Sequence, residues 1–441
     1  MKTSAAAITL TALFLVACGS SQNGVPSMTS GGSNLYRSVD LSTLGVHDPL
    51  SPSVLINTIH VFSGPPDGAF PFAGLVNVND VLYGTTLEGG TACGNGGCGT
   101  IFAVTSNGLE RVEYRFQGGS DGYWPESDLV NVNGTLYGTT LGGGGGSRYG
   151  CPGGCGTIFA ITSSGTKVWT YSFQGLSDGA SPYAGLVYVN GTLYGTTSEG
   201  GSTTCGGVGC GTFFAVTLSG QERGITIFRG YDGAFPTARL INVNGTLYGT
   251  TFQGGAYSSH CSNGCGTVYS ITTSGSKKVL HSFAGGTDGA HPYAGLANVN
   301  GTLYGTTTRP GGSGCGGSGG CGTIFAVTPP SGNETVIHAF AGGSDGALPI
   351  GGLINVSGTL YGTTELDGAY GAGTVFSVTL PSGTEKVIHA FQGGDDGSAP
   401  RGRLLNVKRT LYGTTDNGGV NVHVGTVFSL KLGLGLTPRS R

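Results

Sequence analysis

The chain has 441 residues, 89 of them glycine; only 10% are charged, and the formal net charge is −3. No basic run or patch occurs, so a nucleic-acid partner lacks its electrostatic footprint. So much glycine would suit a low-complexity chain, but here the glycines recur at fixed places between apolar runs, as in a folded repeat.

Residues 1–17, MKTSAAAITLTALFLVA, carry Lys2 ahead of an apolar stretch too short to span a bilayer. This is the pattern of a secretory signal. The LVAC at 15–18, followed by GSS, resembles the lipobox of bacterial lipoproteins. That resemblance implies diacylation of Cys18, which becomes the new N-terminus and anchors the chain to a membrane; the alternative is a plain signal peptide with an incidental cysteine. Residues 18–52 are rich in Ser, Gly and Pro and suit a flexible tether. No other segment approaches the roughly 20 apolar residues a membrane span needs.

SVLINTIHVF at 53–62 reads as a strand standing ahead of the first of seven repeats. The phrase NVNGTLYGTT fills residues 131–140, 242–251 and 298–307, and the tyrosine of LYGTT recurs at Tyr83, Tyr137, Tyr194, Tyr248, Tyr304, Tyr361 and Tyr412. Each copy has an Asp-Gly upstream and a GT with an apolar pair downstream. In the fifth copy, GLANVN at 295–300 and TLYGTTT are two strands joined at Asn300-Gly301, because Asn-Gly is the favoured pair for a type I′ hairpin. A Gly- and Cys-rich loop at 309–322 leads to a third strand, TIFAVT at 323–328, and PPSGN leads to a fourth, ETVIHAF at 334–340. No segment has a convincing helical period.

Seven four-stranded antiparallel units predict an all-β, seven-bladed β-propeller over residues 53–432, with 433–441 as a tail. The seventh copy stops after its third strand, TVFSLKL at 426–432. The 53–62 strand is therefore expected to complete blade seven, with Phe62 equivalent to Phe116, Phe173, Phe228, Phe283, Phe340 and Phe391. A monomer is expected.

Beyond Cys18, ten cysteines form one local pair in each of copies one to five: Cys93/Cys98, Cys151/Cys155, Cys205/Cys210, Cys261/Cys265 and Cys315/Cys321. Behind an export signal such pairs read as disulfides. A zinc site would need two further ligands per loop, and His260 is the single nearby histidine. Closing so short a loop is worth about 2 kcal/mol in the chain-entropy model.

The unit F-x-GG-x-DG-A-x-P-x-x-GL, then NG-T-LYGTT, GG and GT-x-F-x-[VI]-T, resembles the GloVer tandem repeat of bacterial exported and surface proteins. The resemblance covers all seven copies and implies an exported repeat protein with no assigned activity. A fainter likeness to kelch repeats extends to the architecture alone, since the kelch Tyr and Trp pattern is not kept.

Candidate chemistry sits where copies agree on a polar residue or where one copy departs. Asp67, Asp121, Asp178, Asp232, Asp288, Asp345 and Asp396 occupy the crossovers between blades. They would form either a cation-binding ring or seven Asx-type turns, and their identity in every copy favours the turns. His60, His281, His338 and His389 share one outer-strand position, too far apart to share an ion, and are expected to pack structurally. Copy two departs most, with DGYWPESD at 121–128. Glu126 and Asp128 would be the catalytic carboxylates of a glycoside-directed enzyme, and Trp124 a platform for a sugar; the alternative, which the uniform repeats favour, is simple drift of one copy. Arg239, His260, His291, Arg401 and Arg403 are further departures. No cofactor motif occurs, and no cofactor is expected. Uniform repeats favour a non-enzymatic, lipid-anchored, extracytoplasmic propeller that binds a protein or glycan on its loop-rich face. A polysaccharide-acting enzyme and a purely structural envelope protein are the alternatives.

Overall fold

The computed structural model describes residues 56–145, 151–309, 321–419 and 424–433. The signal segment, Cys18, the tether, Cys315 and the tail beyond residue 433 lie outside the described residues. The described chain forms seven four-stranded antiparallel sheets, each with its strands in order from inner to outer. Blade one takes Val76–Val78, Val81–Thr86, Thr100–Thr105 and Glu110–Arg115, and blades two to six repeat that order. Blade seven takes Leu405–Val407, Thr410–Thr415 and Thr426–Lys431, and its outer strand is Ile56–Val61 from the other end of the chain. That strand pairs antiparallel with Thr426–Lys431, with Ile56 opposite Leu430 and Val61 opposite Thr426. The architecture is a closed seven-bladed propeller.

The repeated phrase supplies a separate contact with almost every letter. The turn pair takes positive φ in all seven copies, for example Asn133 at 52° and Gly134 at 82°. This is the type I′ geometry whose twist matches the flanking strands. The glycine of LYGTT faces an aromatic ring of the third strand; a Cβ on Gly138 would lie 2.5 Å from Cζ of Phe159. The first Thr reaches the next blade in five copies, as where Thr139 Oγ1 donates to the Pro182 carbonyl at 2.8 Å and Thr414 Oγ1 to the Ala73 carbonyl at 3.0 Å. The second Thr pairs with the Thr that opens the third strand at 2.7–2.9 Å in every blade.

The core lies between blades. Phe62 and its six equivalents, the marker phenylalanines of the outer strands, are each at most 1% exposed. Each meets the third-strand aromatic of the following blade edge-on, with ring centroids 5.0–5.2 Å apart. Such T-shaped pairs add to the value of burial itself. The Phe62–Phe102 contact belongs to this set, so the joint between the two chain ends is packed like the other six.

Four of the expected disulfides are formed, Cys93–Cys98, Cys151–Cys155, Cys205–Cys210 and Cys261–Cys265. Cys321 is also disulfide-bonded, and its expected pairing with Cys315 falls outside the described residues. The bridges fill space under the crossovers: a Cβ on Gly118 would lie 2.7 Å from Cys93 Sγ, and one on Gly285 would lie 3.3 Å from Cys265 Sγ.

Candidate functional site

Each crossover runs from the rim, past the Asp-Gly step and a proline, to the start of the next inner strand. Two of its positions end at the propeller axis. The residue after the proline is Phe72, Glu126, Tyr183, Thr237, Tyr293, Ile350 or Arg401, and two places further on stands Gly74, Asp128, Gly185, Arg239, Gly295, Gly352 or Arg403. Side chains at these positions touch partners on non-neighbouring blades. The Tyr183 and Tyr293 rings, from blades three and five, have centroids 5.9 Å apart. Arg239 of blade four lies 3.9 Å from Asp128 of blade two. In a ring of blades such meetings occur only around the axis.

The layer at the glycine position is a charged plug. Asp128 Oδ1 accepts the Gly74 N–H at 2.7 Å, and its Oδ2 faces Arg239. Arg239 Nε donates to the Leu186 carbonyl at 3.0 Å. Burial, with Arg403 nearby, lowers the Arg239 pKa, against the pull of Asp128. The glycines of other copies make the room: a Cβ on Gly185 would lie 3.0 Å from Asp128 Cβ, and one on Gly352 would lie 3.2 Å from Arg403 Cδ.

The layer above is richer in chemistry. Arg401 Nη2 donates to Glu365 Oε1 at 2.5 Å, its Nε lies 3.7 Å from Asp416 Oδ2, and its guanidinium sits 4.8 Å over the Phe72 ring. Burial works against its charge, but Glu365 and Asp416 more than offset that and raise its pKa. Glu126 completes the cluster, with the Tyr183 hydroxyl beside it. Burial pushes Glu126 up to about 7; Tyr183 and Arg401 pull it down and Asp416 pushes it further up. Burial likewise raises Asp416 to about 6, against the pull of Arg401. Glu126 Oε2, Glu365 Oε2 and Asp416 Oδ1 are buried without a hydrogen-bond partner. Three carboxyl groups thus surround one guanidinium beside tyrosine hydroxyls and an aromatic ring. These are acceptors, donors and ring faces of the kind that engage a hydroxylated ligand.

The structure therefore brings Glu126 and Asp128 to the axis, but in successive layers with separate partners, not as a facing pair. Trp124 is apart from both: it meets Tyr123 edge-on at 4.8 Å and is 38% exposed. Arg239, Arg401 and Arg403 converge on the same axis. The Nδ1 atoms of His260 and His291 hydrogen-bond the Ala284 and Phe252 carbonyls at 3.1 and 2.8 Å, and the His291 ring packs on Phe252. Glu365 and Asp416 were missing from the sequence reading. Their signal is positional, since they follow the GTT of copies six and seven, where other copies have Leu87, Leu141, Ser198, Phe252 and Thr308. Those same two copies lack the cysteine loop. Their second and third strands are joined through 8 and 9 residues between GTT and the next GT, against 12 to 15 elsewhere.

The seven crossover aspartates do not form a common ring. Each accepts a backbone N–H three or four residues upstream, as Asp288 does from Ala284 at 2.6 Å and Asp232 from Arg229 at 2.8 Å. Each closes its own turn at its own blade interface.

No curated protein matches the chain. Among solved structures it is similar to the Pan2 WD40 domain of Neurospora crassa, with a TM-score of 0.51 and 9% identity over 88% of this chain and 99% of that one. It is also similar to a putative 6-phosphogluconolactonase from Bacteroides uniformis, with a TM-score of 0.43 and 12% identity over 72% of this chain and 83% of that one. A second such protein, from Bacteroides fragilis, has a TM-score of 0.45 and 14% identity over 77% and 88%. At 9% identity the likeness to the Pan2 WD40 domain speaks to fold alone. The repeat itself is more specific: residues 45–257 and 203–428 match the Gloeobacter/Verrucomicrobia repeat, and the chain belongs to that family.

Proposed function

We propose that the protein is a non-enzymatic, lipid-anchored, extracytoplasmic propeller that offers its loop-bearing face to a protein or glycan ligand. The observation that carries this reading is the inequality of the two faces. One face has only the type I′ hairpins and short outer turns. The other has the crossovers, the disulfide-braced loops and the axial cluster. It also holds seven of the ten large apolar side chains exposed among the described residues: Trp124, Leu176, Val208, Tyr231, Tyr257, Leu366 and Tyr370. Exposed aromatics concentrated on one face are the usual mark of a contact surface. Disulfides fit an oxidising compartment, and the lipobox-like LVAC at 15–18 supplies the anchor.

A glycan array together with capture of envelope proteins tests the reading. Tyr231→Ser/Tyr257→Ser is expected to abolish binding, and Leu109→Ser/Val168→Ser, away from the loop face, to leave it intact. Binding that survives the first pair and is lost with the second would reject the assignment of the face. For the anchor, Cys18→Ser is expected to release the protein from membranes and to remove an acyl mass. Unchanged detergent partitioning with no acyl mass in the wild type would refute it.

The enzyme reading draws on one observation, the raised pKa values of Glu126 and Asp416, since perturbed carboxyl groups gather at catalytic sites. A polysaccharide hydrolase panel decides it. Turnover by the wild type that is lost in Glu126→Gln would replace the binding reading with the enzymatic one.

A further inference from the structure

The four outer-strand histidines each meet the aspartate seven residues on, and in three cases a glutamate from the next blade joins them. His60, Asp67 and Glu110 meet at the interface of blades seven and one; His281, Asp288 and Glu334 at that of four and five; His338, Asp345 and Glu385 at that of five and six. In each set one ligand-type atom per residue lies within 4.8 Å of the other two. The Nε2-to-carboxylate distances are 3.6, 3.2 and 3.3 Å. At the first interface His60 Nε2, Asp67 Oδ1 and Glu110 Oε1 are all buried without a hydrogen-bond partner, as are Glu334 Oε1 and Glu385 Oε1 at the others.

The remaining interfaces act as controls within the same chain. Between blades one and two, the glutamate's place is taken by Lys167, which pairs with Asp121, while Tyr114 replaces the histidine. Between three and four, Lys277 lies 3.0 Å from Asp232 and Thr226 replaces the histidine. Two interfaces thus carry a built-in cation where the three clusters carry a second carboxylate. Between two and three, Tyr171 stands in the histidine's place and its hydroxyl lies 2.7 Å from Asp178 and 3.0 Å from Glu222. Between six and seven, Ile56 replaces the glutamate and His389 meets Asp396 alone at 3.1 Å.

We propose that each of the three His–Asp–Glu clusters binds a divalent transition-metal ion such as Zn²⁺, which joins adjacent blades at the rim. One imidazole nitrogen and two carboxylate oxygens are ligand types that this ion takes, and three protein ligands leave the fourth place to water. The edges of a zinc tetrahedron are roughly 3.4 Å, given bonds of about 2.0–2.2 Å. The His–Asp separations already match, and the glutamate oxygen, within 4.8 Å of both partners, has to move closer to complete the set. Side-chain exposures of 16–21% for the His–Asp pairs leave an entry path from solvent. The ion supplies at these interfaces the positive charge that Lys167 and Lys277 supply at two others. No ion is shared between blades further apart, so the spacing of the histidines is no obstacle.

The test uses the full-length chain, stripped with chelator and then given Zn²⁺ alone, with bound metal counted by native mass spectrometry. Three ions per chain are expected, with a rise in melting temperature. His60→Tyr/Glu110→Lys copies the neighbouring interface and is expected to bind two. The same exchange at all three clusters is expected to bind none. Glu110→Gln provides a second reading of the first site if the double exchange folds poorly. No zinc bound by the wild type, or a count that these exchanges leave unchanged, overturns the proposal.

Discussion

Glu126 shows what a single departure from the repeat does once the ring closes. Its equivalents are aromatic or aliphatic in four copies, and in copy two a carboxyl group enters a crowded axis. Because burial lifts its pKa from near 4.5 to about 7, the folded protein holds this proton where the unfolded chain has released it. Stability should therefore fall as pH rises from about 4.5 to about 7, and the contribution should level off above that. Glu126→Gln removes that part of the slope. Relative to the variant, the wild type should lose roughly 1–3 kcal/mol across the window, at 1.36 kcal/mol per pKa unit and discounted because the side chain is not fully buried. Denaturant melts at a series of pH values read this directly, and parallel profiles would show that the carboxyl titrates normally. Gly138 makes the opposite point about a residue that never varies. Its absent Cβ leaves room for Phe159, so Gly138→Ala should cost about 1–3 kcal/mol as an overpacked core does, while Gly134→Ala costs only what its positive φ demands. Glu126, Asp128, Arg239, Arg401 and Arg403 stand out as departures in the linear chain. That they meet depends on ring geometry that no local pattern contains, and Glu365 and Asp416 differ from their counterparts only by position after GTT, a signal that gains meaning once Arg401 lies between them.

Strands, turns and loops were far more legible, because each recurs seven times and each recurrence has a local cause. Asn-Gly predicts the type I′ hairpin, and the GT with its apolar pair marks each third strand, although the Thr pair made there emerges only in the folded sheet. The exceptions are informative. Copy one has Asn79-Asp80 and copy seven has Lys408-Arg409 at the turn, all four with positive φ, the last at 65°. A side chain in that region costs about 1 kcal/mol or more, so Arg409→Gly should raise the denaturant midpoint by an amount equivalent to roughly 0.5–1 kcal/mol, once the looser unfolded chain is counted. No change would show that the contact from Arg409 to the Gly433 carbonyl, at 3.2 Å, compensates for the strain. The two atypical turns are neighbours in the ring, and Lys408 pairs with Asp80 across the joint at 2.9 Å. Both side chains are largely exposed, so the pair contributes little. The rim clusters were half legible: the shared histidine position is plain in the sequence, but the glutamate lies six residues before the marker Phe of the following blade, a pairing that only adjacency of blades reveals.

Closure governs the molecule as a whole. Six blades are built from consecutive chain, and the seventh borrows its outer strand from residues 56–61. Removing that strand leaves Thr426–Lys431 with an unpaired edge, which invites intermolecular pairing. It also removes Phe62, hence one of the seven edge-on aromatic contacts, and one of the three His–Asp–Glu clusters. In an open array each blade touches only its neighbours, so loss of an end is absorbed locally. In a ring the same loss frees two interfaces at once, since blade seven then meets blade one with a three-stranded sheet. Deletion of 53–62 should therefore lead to aggregation or to a large drop in melting temperature, while deletion of 19–50, a Ser-, Gly- and Pro-rich stretch ahead of the first strand, should leave the melt almost unchanged. Phe62→Ala separates packing from pairing. It keeps the strand and should cost about 3–5 kcal/mol, as truncation of a buried Phe does, with the protein still monomeric by light scattering. If deletion of 53–62 melts like the wild type, the strand is an accessory to a ring already held by the other six interfaces, and closure does not depend on it.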